Sequence, residues 1–202
     1  MLLKGGAGPR RVEAAEVRRA LACVAAMEEE AARFYANLAN VVRVAELSAA
    51  LLFLSGECRN AARLLEALYG RAEGDCSSEL GQAGLEVLQR LRELNDRLER
   101  GWTPGPARVA ELLEEMSSED RVAGKEVYCQ MAAAVASAYV AGVGRALLMA
   151  VAERERSYLR VLRRIAAELR EIAGEAAGPA PLPRAAGAAL EAVAATRSPL
   201  PP

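Results

Sequence analysis

Apolar residues recur every three or four positions through most of this chain, and that period predicts helices. The first stretch reads Val17, Leu21, Val24, Ala31, Tyr35, Leu38 and Val42, with Glu28 set in the same stripe. A second reads Leu47, Ala50, Leu54, Ala61, Leu64 and Leu68, with Glu57 among them. A third carries Val122, Cys129, Ala133, Ala136 and Val140 around Glu126, and a fourth Leu148, Ala152, Leu159, Leu162, Ala166 and Leu169 around Glu155. A stripe of this period is the inward face of an amphipathic helix. Each of these helices therefore places one acid where an apolar side chain is expected.

Turn residues divide the pattern. The first helix is expected from near Pro9 to Val41, and the second from about 45 to 69, ended by Gly70. A join as short as Val42–Val44 folds the pair into an antiparallel hairpin. A third helix is expected over about 119–141, opened by Ser117 and Ser118 with Glu119 and Asp120 behind them, where hydroxyl caps and acids suit a helix start. The fourth is expected over about 145–173, after Gly142 and Gly144. Between the hairpins lie a predicted helix over about 79–100, the breaker Gly101-Trp102-Thr103-Pro104-Gly105-Pro106, and a short helix over 106–116. Residues 1–9 read as a disordered lead-in. Residues 175–202 read as a proline-rich linker, a short helix over about 184–196, and a tail.

A shift of 98 residues carries Glu28 onto Glu126 and Glu57 onto Glu155, so both pairs are 29 residues apart. The same shift carries Val24 onto Val122, Val42 onto Val140 and Leu64 onto Leu162. Two related hairpins, 10–70 and 119–174, joined by the long crossover 79–116, make an all-α chain with the connectivity of a ferritin-like antiparallel four-helix bundle.

Composition narrows the chemistry. The chain is 52% hydrophobic but only 4% aromatic, so much of its apolar content is small alanine, which suits close-packed helices. The net charge of −1 offers no basic face for nucleic acid. The longest uncharged run, 127–144, is alanine-rich and reads as a buried helix, not a membrane span. No signal peptide is legible, and a cytoplasmic location is expected. The chain has no histidine, which removes the commonest transition-metal ligand, and Lys4 and Lys125 are its only lysines. No two of the cysteines Cys23, Cys58, Cys76 and Cys129 form a CxxC pair. This argues against a zinc ribbon and against Cys58 and Cys129 acting as a redox dithiol, and leaves a structural disulfide of Cys23 or Cys76 open.

The residues Met27-Glu28-Glu29-Glu30-Ala31-Ala32-Arg33-Phe34-Tyr35 and Phe53-Leu54-Ser55-Gly56-Glu57-Cys58-Arg59-Asn60, with Glu126 and Glu155-Arg156-Ser157-Tyr158, resemble the ferritin-like di-iron carboxylate superfamily, nearest its rubrerythrin branch. The resemblance covers about 21–69 and 119–170. It implies a metal centre in which Glu28, Glu57, Glu126 and Glu155 are ligands. Asn60 and Tyr158 stand where that family has histidine. An oxygen-rich set of this kind suits hard cations, Mn²⁺, Fe³⁺, Mg²⁺ or Ca²⁺, bound weakly, and the resemblance implies reduction of peroxide or oxygen at Fe or Mn as the activity. Cys129, one turn from Glu126, is a softer candidate ligand.

Other classes compete. The acids could be a relic held by Arg59 or Arg156 in a non-catalytic helical module, with the apolar face Leu80–Leu98 and Trp102 turned to a second copy of the chain in a homodimer. Glu28-Glu29 and the Glu57/Asn60 pair also match, in part, an all-α Mg²⁺-dependent nucleoside triphosphate pyrophosphohydrolase.

Overall fold

The computed structural model describes residues 14–118 and 125–177. These residues form six helices and no strand: α1 (Ala14–Val41), α2 (Ala45–Tyr69), α3 (Gly81–Glu99), α4 (Pro106–Met116), α5 (Lys125–Ser137) and α6 (Gly142–Ala177). The expected helix start at 119–120, the lead-in 1–9 and the segment 178–202 lie outside the described residues.

α1 packs along α2, and α5 along α6, as the short joins require. α1 also meets α5, and α2 meets α6, so the two hairpins face one another. Gly70 ends α2 with φ 88°, a conformation that a residue with Cβ rarely adopts. Proline at the start of α4 needs no N–H there. α5 is shorter than the sequence suggests. It ends at Ser137, whose hydroxyl donates to the Ala134 carbonyl 2.7 Å away, and turns at 138–141 lead into α6. α6 begins at Gly142, a turn earlier than expected.

One core runs through the molecule. It holds Leu21, Met27, Phe34, Tyr35, Leu38, Leu51, Leu54, Leu65, Leu148, Leu162 and Leu169 from the hairpins, with Leu88, Leu91 and Leu94 of α3 and Leu112 and Leu113 of α4. The apolar face of α3 is therefore spent within the chain, against α1 and α5, and is not left for a second copy. Asn95, buried on that face, donates to the carbonyl of Glu30 at 2.9 Å and accepts from Asn37 at 3.1 Å. A buried amide with its partners in place fixes the register of α3 on α1. Gly84 on α3 lets Tyr128 of α5 lie against the helix backbone, and the Tyr128 hydroxyl donates to the Leu80 carbonyl at 2.8 Å. A disulfide joins Cys23 of α1 to Cys76, at the start of the crossover. No helix among the described residues is long and apolar enough to cross a membrane.

Candidate functional site: a buried carboxylate and lysine cluster

Glu28 on α1, Glu126 on α5 and Glu155 on α6 are completely buried, and they converge. What they converge on is Lys125, also 0% exposed. Its Nζ lies 2.8 Å from Glu28 Oε2, 3.2 Å from Glu126 Oε2 and 3.2 Å from Glu155 Oε2. Cys58 of α2 completes the shell, with Sγ 3.4 Å from Nζ. All four helices of the two hairpins thus contribute to a shell around one ammonium.

A second cation closes the cluster. Arg154 hydrogen-bonds Glu155 through Nε at 3.2 Å and through Nη2. It lies 3.6 Å from Glu28 Oε1, and its Nη1 donates to the Glu57 carbonyl at 3.1 Å. Tyr35 donates to Glu126 Oε1 at 2.6 Å. Tyr158 donates to Glu57 Oε2 at 2.8 Å, under the Arg154 guanidinium and edge-on to Phe53. Neither oxygen of Glu28 receives a hydrogen bond of proper geometry, so charge alone holds this carboxylate.

Three buried carboxylates face the buried Lys125 and the half-buried Arg154, which leaves one negative charge too many for so enclosed a site. A retained proton resolves it. Burial, then the charge of Glu155, raises Glu126 well above its ordinary value. Burial alone would raise Glu155 too, but Lys125, the hydrogen bond from Glu126 and Arg154 outweigh it and hold that carboxyl at about 2. Glu126 therefore carries the proton and donates to an ionised Glu155. Glu28 is raised by burial and by Glu155, against the pull of Lys125 and Arg154. Burial opposes the Lys125 ammonium, yet its neighbours raise it well above the usual lysine value. Because burial also keeps Cys58 a neutral thiol, the carboxylates supply that attraction.

The expected ligands thus meet different fates. Glu28, Glu126 and Glu155 come together. Glu57 is half-buried beside them, engaged by Tyr158. Asn60 is exposed and stands apart from the cluster. Tyr158 is buried near its expected place, but as a donor to Glu57, and burial and that bond raise its hydroxyl. Cys129 is a buried thiol whose Sγ lies 3.8 Å from Met27 Sδ. The arginines expected to hold the acids are at the surface instead: Arg59 lies 3.9 Å from Glu29, and Arg156 pairs with Glu153 at 2.9 Å. With Glu29 outside and Glu28 inside, the partial pyrophosphohydrolase pattern is split between surface and core.

A carboxylate-bound metal does not fit these residues. Histidine is absent, Asn60 is exposed, and an ammonium stands at the centre of the carboxylate shell. Among the described residues no group of three or more Cys, Asp or Glu is arranged to hold a metal ion. Lys125 and Arg154 are the functional residues that periodicity missed. Each immediately precedes a stripe glutamate, so period counting assigns it to a flank. The signal was chemical: Lys125 is one of only two lysines in a chain that otherwise uses arginine. Under the 98-residue shift Lys125 and Arg154 fall on Met27 and Gly56, so both cations belong to the second hairpin.

The fold and cluster define an all-α protein with a charge-neutralised carboxylate core. Comparison with family models, with curated proteins and with solved structures returned no match.

Proposed function

We propose that this chain is a ferritin-like four-helix bundle, its hairpins related by a pseudo-twofold axis, that works as a non-catalytic helical module. Its carboxylate centre is structural and performs no peroxide or oxygen reduction. The observation that carries this reading is the Lys125 ammonium within 3.2 Å of Glu28, Glu126 and Glu155, the place a family metal would take. The converging glutamates and the facing hairpins support the ferritin-like architecture. The internal cations support loss of the redox role, because the Lys125 ammonium fills the space between the carboxylates and repels a metal ion there.

Such a cluster is a device of specificity more than of stability. Desolvating several charges offsets most of their attraction, and apolar replacements of ion clusters are often as stable. What the cluster does enforce is pairing: only one arrangement of α1, α2, α5 and α6 satisfies Lys125. Val135 near the end of α5, Tyr139 in the turn, and Val143 and Met149 in the first turns of α6 are exposed, which supports a module that meets another copy of itself there.

The test is elemental analysis of protein purified without chelator, followed by peroxide consumption after incubation with Fe²⁺ or Mn²⁺ under argon. The expected result is substoichiometric metal and no turnover. One metal per chain with turnover abolished by Glu28→Ala would refute the reading.

A further inference from the structure

Lys125 occupies, with a single charge, a shell shaped for a cation. Remove the ammonium and three buried carboxyls remain against Arg154 alone, an excess of two negative charges when all three are ionised. A second observation points the same way. Both oxygens of Glu28, at 0% exposure, lack a hydrogen bond of proper geometry, so this carboxylate is committed to the neighbouring cations and to nothing else.

We propose that Lys125 is a built-in substitute for a divalent cation, and that truncating its side chain opens a divalent-cation site made by Glu28, Glu126 and Glu155. The inference rests on the structural reading of the cluster given above. The charge decides the class of ion. A divalent cation matches the two-charge excess of the truncated cluster, which a monovalent ion would meet only by half. The donor set decides it further: three carboxylates, which favour hard ions, outweigh the one sulfur in the shell, Cys58, which burial keeps a neutral thiol. Size refines the choice. The oxygens stand 2.8 to 3.2 Å from Nζ. An ion of longer bonds and flexible coordination needs less contraction of that shell than Mg²⁺, which demands bonds of about 2.0–2.1 Å in strict octahedral geometry. Ca²⁺ and Mn²⁺ should therefore bind ahead of Mg²⁺. In the unaltered protein the ammonium fills the place and repels the ion, so the lysine excludes metal.

The experiment uses the full chain as wild type, Lys125→Ala, Lys125→Ser and Lys125→Ala/Glu28→Gln. Each is titrated with Mn²⁺, Ca²⁺ and Mg²⁺ by calorimetry, and each is melted with and without the ions. The expected result is one site per chain in both single variants, with a rise in melting temperature. Binding should weaken at least tenfold in the double variant and be absent from wild type. Folded single variants that bind no ion would overturn the proposal. So would a double variant that binds as tightly as Lys125→Ala. If neither single variant folds with or without the ions, the proposal also falls, since a divalent ion in that shell would restore the charge balance. Metal-dependent peroxide turnover by wild type is a separate result, and it would sink the structural reading itself.

Discussion

Replacing Glu126 and Glu155 by glutamine, one at a time, separates the carboxyl that carries the proton from the one that carries the charge. Glu126→Gln keeps the shape of a protonated glutamic acid. The carbonyl of the new side chain can accept from Tyr35, now 2.6 Å from Glu126 Oε1, and its amide can donate toward Glu155. Lys125 Nζ, 3.2 Å from Glu126 Oε2, loses that acceptor to the new amide, so the exchange should cost about 1–2 kcal/mol. Glu155→Gln is different in kind. Glu155 is ionised, fully buried, and paired with both Lys125 and Arg154. Removing one partner from a buried pair costs about 3–5 kcal/mol, because the remaining charge is left uncompensated. Urea unfolding of both variants near neutral pH, followed by circular dichroism, measures the difference. Equal losses, or a silent Glu155→Gln, would refute the assignment of the proton to Glu126.

The same two residues set opposite pH dependences. Glu126 is raised above 4.5, so its contribution is complete below the unfolded value and is lost as pH rises through the folded one; Glu155, held at about 2, contributes above 4.5 and loses that contribution as pH falls to about 2. Wild-type stability should therefore peak in mild acid, and Glu126→Gln should lessen the decline on the alkaline side, to which Glu28, raised as well, still contributes, in denaturant midpoints measured across pH. Gly84→Ala places a Cβ 2.5 Å from the Tyr128 ring and forces it off Leu80, at a cost of about 1–3 kcal/mol by overpacking; adding Tyr128→Ala should recover part of that loss in a double-mutant cycle. Cys23→Ser/Cys76→Ser opens a loop spanning 53 residues, which should cost about 4 kcal/mol in chemical unfolding, and thiol titration of denatured, unreduced wild type should find only Cys58 and Cys129.

Periodicity alone carries much of this protein. Stripes of period 3.6 depend only on local geometry, so α2, α3 and α4 fall within a residue or two of their expected ranges, and the hairpins follow from joins too short for any other path. The stripes likewise mark Glu28, Glu126 and Glu155 as inward-facing acids, while Glu57, on the same pattern, stays half-buried beside them. What periodicity could not supply is which neighbour of each acid turns inward. Lys125 and Arg154 stand one step from their glutamates, about 100° around the helix, and a long flexible side chain can reach inward from such a flank only if the packed helices leave room for it. The balance of charge among three carboxylates, two cations and one proton is also a property of burial. In an isolated helix water would screen each group, and none would need the others. Nor does the sequence say that Asn60 faces out while Tyr158 turns toward Glu57, since helix rotation about its own axis is set by the neighbours it packs against. The local code placed the acids in the core, and tertiary packing chose an ammonium to hold them.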